Sequence, residues 1–156
     1  MAVGAQRNPL IRRVLLLAMF AACKTPSPRP LAYDQENCRH CHMTLADQRF
    51  GAELVMRTGR VLPFDDTGCL ITFLETDSVS TAAVHSIQVA DFLAPHALLD
   101  AATAMFLVSD SIHTPMDYHI AALSKERADS VRGALGGALV TWEQARAMIR
   151  TSGTSR

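Results

Sequence analysis

The chain has 156 residues, the size of one ordinary domain. Hydrophobic residues make up 49% and charged residues 19%, so the chain can bury a core and wholesale disorder is excluded. Fifteen basic residues balance fifteen acidic ones and aromatics are only 6%, which excludes the basic, aromatic surface of a nucleic-acid binder.

Met1 to Arg13 carries Arg7, Arg12 and Arg13 and no acid. The apolar run from Val14 to Ala22 is nine residues long, short of the roughly 20 that a membrane-spanning helix needs. It fits the apolar centre of an export signal. Met19-Phe20-Ala21-Ala22-Cys23 resembles a bacterial lipobox, in which small residues precede a cysteine that becomes lipidated. Residues 1–22 are therefore expected to be a lipoprotein signal peptide, with Cys23 the lipidation site. Its removal leaves a mildly acidic chain, so a lipid rather than charge would hold it to a membrane. Residues 23–36 include Pro26, Pro28 and Pro30 and show no apolar periodicity, so they read as an extended, lipid-anchored tether.

The folded domain is expected over residues 37–150, with a tail at 151–156. Phe50 to Met56 alternates like a strand, Thr58-Gly59 makes a turn, and Arg60 to Phe64 returns as a second strand. Pro63 suits an edge position. Asp65-Asp66-Thr67-Gly68 can cap a helix running from Cys69 to Glu75. Val84 to Val89 is a third strand. The order then repeats: Ala104 to Val108 and His119 to Leu123 read as strands, and Lys125 to Leu135 as a helix stopped by Gly136-Gly137. Thr141 to Ile149 is a last helix, with Thr141 as cap and Gln144 at the capping-box position. The fold class is α+β, built from two strand-strand-helix-strand units.

Asn37-Cys38-Arg39-His40-Cys41-His42-Met43 places five metal-ligating side chains between 38 and 43. Three chemistries fit. Cys38-x-x-Cys41-His42 satisfies the attachment pattern of c-type haem, with Met116 a possible distal ligand, which would make the protein an electron carrier. A Cys38–Cys41 disulfide suits an exported chain and would make it a structural or redox lipoprotein; zinc would want two further ligands, and no second ligand pair is in view. Cu(I) is a soft ion that favours thiolate and thioether and accepts two or three ligands, so Cys41, Met43 and one distant residue would suffice.

The same segment, together with Arg49-Phe50-Gly51-Ala52-Glu53-Leu54-Val55, Gly59-Arg60-Val61, Phe64-Asp65-Asp66-Thr67-Gly68-Cys69-Leu70 and Thr114-Pro115-Met116, resembles the NosL family. The resemblance covers most of residues 37–145 and is sharpest at Cys41-x-Met43 and Phe64-Asp65-Asp66. It implies a two-repeat α+β fold like that of an organomercurial lyase domain. It implies a periplasmic lipoprotein that supplies Cu(I) to the copper centres of nitrous oxide reductase, working with that enzyme's ABC-type maturation complex. The family usually has Gly where this chain has His42, and Gly after Pro-Met where it has Asp117.

The expected ligands are Cys41 and Met43, then Met116, with Cys38 and His42 as further candidates. Cys69, beside Leu70 and Phe73, reads as a buried structural thiol. Met56, Met105 and Met148 read as core. His85, His96, His113 and His119 have no ligand-spaced partner. Asp65 and Asp66 are explained by helix capping rather than acid/base work. There is no phosphate loop or nucleophile elbow, and Cys41 beside His42 lacks a third orienting group, so a non-enzyme is expected.

Overall fold

The computed structural model describes residues 25–153. The segment expected to be a signal peptide, Cys23 and the last three residues lie outside them. The chain runs β1 (Ala52–Met56), β2 (Val61–Phe64), α1 (Thr67–Thr76), a 3-10 turn (Thr81–Ala83), β3 (Val84–Asp91), β4 (Ala94–Asp100), β5 (Met105–Val108), β6 (Ile120–Leu123), α2 (Lys125–Leu135), β7 (Ala138–Val140) and α3 (Trp142–Gly153).

Seven strands form one sheet in the order β2-β1-β3-β6-β5-β7, with β4 also paired to β3. In the first unit β1 is flanked by β2 and β3, both antiparallel to it. In the second unit β5 is flanked by β6 and β7, again both antiparallel. A short parallel contact, Asp91 opposite Ala122, joins the two units through β3 and β6. This is the α+β architecture of two strand-strand-helix-strand units.

The expected elements are present, with three differences. β4 has no expected counterpart: Ala94-Pro95-His96-Ala97 is exposed and lacks apolar alternation, and Pro95 is tolerated because the strand lies off the main path of the sheet. β7 spans three residues, too short for a periodic signal, and its pairing with β5 forms it. The last helix continues to Gly153, which takes residues 151–153 out of the expected tail.

The expected tether is also shorter than its proline content suggests. Leu31 and Tyr33 are buried in the main core. Arg29 forks onto the Glu36 carboxylate, whose Oε2 also accepts from the Ala32 amide at 2.9 Å. Backbone bonds Asp34 N to Leu45 O and Leu45 N to Glu36 O, both 2.9 Å, join this segment to the loop that carries the cysteines. Two apolar side chains, each stabilising by about 1.5–3 kcal/mol when buried, outweigh the extended preference of the prolines.

The main core gathers Leu45, Leu54, Phe64, Leu70, Ile71, Val89 and Phe106 between the sheet and α1 and α3, and it includes Cys38 and Cys69. A smaller cluster of Leu107, Leu123, Ala128 and Val131 lies under α2. Glu75 on α1 accepts from Arg146 on α3 at 2.6 Å, fixing the two helices side by side.

Candidate metal centre

Three segments meet at one end of the first unit. The first is the loop 37–44. It folds back on itself through Cys38 N to Met43 O at 2.8 Å and His42 N to Cys38 O at 3.1 Å, with Asn37 bridged to Thr44. Arg39 N donates to Pro63 O at 2.8 Å, which seats the loop on β2. His42 takes φ 65, the left-handed region where a Cβ is strained. That explains why glycine suits this position.

The second segment is the first turn of α1. Asp66 is the expected N-cap: its Oδ1 accepts from Cys69 N at 2.7 Å. Cys69 is thereby held in the first turn, where its side chain faces the loop and not the outer apolar face. The third segment is the loop between β5 and β6. Met116 N donates to the other oxygen of the same carboxylate, Asp66 Oδ2, at 3.2 Å. Asp65 Oδ1 accepts from Ala46 N at 3.0 Å. The acid pair therefore ties all three segments together: Asp65 anchors the chain just after the cysteine loop, and Asp66 joins the cysteine helix to the methionine loop. Burial raises both carboxyl pKa values, and the amide bonds to each act against that.

A close approach completes the arrangement. A Cβ on Gly68 would stand 2.0 Å from Cγ of Tyr118, so glycine alone lets that ring lie on the start of α1. Thr72 Oγ1 and Tyr118 Oη are 2.9 Å apart.

The result brings Cys38, Cys41 and Cys69 together, their sulfurs all within 4.8 Å of one another. All three are free thiols, so the structure does not contain the Cys38–Cys41 disulfide considered above. Cys38 and Cys69 are 1% and 0% exposed and Cys41 is partly exposed. The close approach of the two buried sulfurs holds the Cys38 thiol below its ordinary range and, with burial, pushes Cys69 up. Burial likewise raises Cys41. Three converging sulfurs are a soft, compact donor set, in which a bound soft cation displaces thiol protons. Covalent haem needs both sulfurs at the edge of one porphyrin, and Cys38 faces the core instead.

Cys69 was expected as a buried structural thiol on the first helix, apart from the ligand loop. It is buried, as expected, but beside the other two cysteines. Its signal lay in the arithmetic: with Cys23 expected to carry a lipid, three cysteines remain, and an odd thiol in a chain expected to be exported calls for a partner or a metal. Met43 and Met116 are 54% and 37% exposed, unusual for large apolar side chains and compatible with thioethers that work at the surface. Their backbones are bonded to Cys38 and to the Cys69 cap, respectively. His42 is not in the sulfur cluster. Met148 is exposed rather than core, and with Met116, Tyr118 and Thr72 it lines a groove of about 740 Å³.

The sequence profile of NosL matches residues 30–148. A seven-stranded sheet of two repeats, carrying a cysteine cluster at one end, thus defines a small α+β protein of that class, and the chain belongs to the NosL family. Among solved structures, the crystal structure of the copper chaperone NosL from Shewanella denitrificans is similar, with a TM-score of 0.61 and 27% identity over 76% of this chain and 96% of that one. No curated protein sequence matches this one.

Proposed function

We propose that this protein is a Cu(I) chaperone. The observation that carries the proposal is the three-sulfur cluster, closed by the Asp66 carboxylate, in a NosL chain. The NosL of Shewanella denitrificans, named as a copper chaperone, supports the same reading. Three thiol sulfurs without a fourth fixed protein ligand favour Cu(I) over zinc, which closes a tetrahedron in structural sites. Cys38 and Cys69 form the floor of the site, Cys41 its rim, and Met43 and Met116 the exposed thioethers through which a receiving protein exchanges ligands. Nothing here calls for a catalytic step.

Cys23 carries the lipid, on the periplasmic side of a bacterial membrane, and a short proline-bearing segment gives the domain reach. The client is nitrous oxide reductase, served through its ABC-type maturation complex. The test is an anaerobic Cu(I) titration of the reduced full-length protein against a competing chelator. One tightly held Cu(I), lost in Cys38→Ser and weakened in Met43→Ala and Met116→Ala, is expected. Binding that is weak, or indifferent to Cys38→Ser, overturns the proposal. Fatty-acid labelling lost in Cys23→Ser tests the anchor. Nitrous oxide reductase lacking copper in cells deprived of the protein tests the client.

A further inference from the structure

The β5–β6 loop carries a second group of ligands of different chemistry. His113, Asp117 and His119 each place one ligand atom within 4.8 Å of the other two. By sequence spacing His113 and His119 have no ligand partner, and Asp117 stands out only as the residue in place of the family's Gly. The loop brings them together. Asp117 N donates to Thr114 O at 3.0 Å, Tyr118 N to Thr114 Oγ1 at 2.9 Å and Ser109 N to His119 O at 3.1 Å. Asp117 and His119 sit at φ 54 and 56, in the left-handed region, so the chain turns sharply on both sides of Tyr118.

One of the histidines, His119, is oriented for a metal. His119 Nδ1 lies 2.7 Å from Ile112 O. A carbonyl only accepts, so Nδ1 carries the proton and Nε2 keeps its lone pair, the second-sphere arrangement that orients imidazole ligands. The His113 and His119 rings stand 5.9 Å apart at 70°, edge to face, so that both can direct a nitrogen at one ion. His113 and Asp117 are exposed and His119 partly so, which leaves coordination positions open to water.

We propose that His113, Asp117 and His119 form a second metal site, a two-nitrogen, one-carboxylate site for Cu(II). Imidazole and carboxylate suit borderline divalent ions, and among these Cu(II) stands highest in the affinity order. On the function proposed above, the sulfur cluster takes the reduced, softer ion, and the two sites would then differ in the oxidation state they hold. This inference stands on its own residues and does not depend on the sulfur cluster binding Cu(I).

The test uses the full-length protein with its sulfurs first filled by Ag(I), which is soft, diamagnetic and blocks reduction of Cu(II) by the thiols. Cu(II) is then added and followed by electron paramagnetic resonance and by competition with glycine. One Cu(II) with two-nitrogen hyperfine structure is expected. His113→Ala and His119→Ala should each lose one nitrogen coupling and weaken binding by about tenfold or more. Asp117→Gly is the deciding variant: it relieves the φ 54 strain, so it folds at least as well, yet it should also weaken Cu(II). His85→Ala and His96→Ala should change neither signal. A Cu(II) signal unchanged in Asp117→Gly and His113→Ala, or no Cu(II) binding once the sulfurs are filled, overturns the proposal.

Discussion

The two units repeat one topology and use it differently. In the first, α1 buries Thr67, Gly68, Cys69, Leu70, Ile71 and Phe73, and its N-cap Asp66 makes a side-chain bond to Cys69 N. In the second, α2 buries only Ala128 and Val131, and Ser124 caps it without a side-chain bond. The central strand differs too: β1 buries Glu53 completely, whereas β5 is apolar throughout. The first unit thus carries acidic and sulfur groups in its interior, held by specific bonds, while the buried polar groups of the second are the hydroxyls of Ser109 and Thr114, in the loop after β5. A repeat supplies the frame, and one copy is specialised by packing its helix against the cysteine loop. The second copy contributes only the loop between its first two strands.

The largest break in this comparison should come from the sulfur cluster. Cys69→Ser is expected to lower Cu(I) affinity by about a hundredfold or more, because a hard hydroxyl replaces one of three soft sulfur donors. Competition with a Cu(I) chelator measures it; a residual affinity within a few-fold of the parent would make Cys69 a structural thiol after all. Arg132→Ala on the exposed face of α2 should leave the affinity where it was.

The buried carboxyl of β1 comes next. Burial holds Glu53 up at about 7 against an ordinary 4.5, and its Oε2 has no hydrogen-bond partner. The folded state therefore holds this proton more tightly than the unfolded chain. The stabilisation is complete below about pH 4.5 and is lost as pH rises through 7. Relative to the parent, Glu53→Gln should gain up to about 3 kcal/mol between those limits, read from denaturant melts at pH 4 and pH 8. Parallel pH profiles for the two proteins would contradict this.

The helices offer a matched glycine pair. Gly68→Ala forces a Cβ into the Tyr118 ring and should cost about 1–3 kcal/mol, with the β5–β6 loop displaced. At Gly133 a Cβ meets nothing within 4 Å, so Gly133→Ala should stabilise by about 0.5–1 kcal/mol. Thermal melts of both variants settle the contrast; the same sign for both would show that the close approach at Gly68 is unimportant. The smallest effect is expected at His42→Gly, which relieves a left-handed φ at the cost of chain entropy. Stability should rise by under about 1 kcal/mol, with Cu(I) affinity nearly unchanged. A large loss of affinity would identify His42 as a ligand.

Much of the frame was legible because it rests on local pattern. The strand at Ala52–Met56, the turn at Thr58-Gly59, the Asp66 cap and the capping box of Thr141 and Gln144 rest on short-range signals and are present, although β1 is buried on both faces rather than alternately; Thr141 N donates to Gln144 Oε1 at 2.8 Å. β4 was missed because an exposed strand with a proline has no apolar period. The tether was overextended because the burial of Leu31 and Tyr33 depends on surfaces that come from later in the chain.

The sequence by itself determined the class: the two-unit order of elements, the candidate ligands gathered at 38–43, the capping stretch Asp65-Asp66-Thr67-Gly68 and the resemblance to NosL. These follow from neighbours a few residues apart. Only the tertiary structure decided that Cys69 joins Cys38 and Cys41, that one Asp66 carboxylate serves both the cysteine helix and the Met116 loop, and that His113, Asp117 and His119 converge. Cys38 and Cys69, like Asp66 and Met116, are too far apart in sequence for any local period to relate them. They meet because burial of the apolar faces of β1, β2 and α1 brings their segments to one end of the sheet.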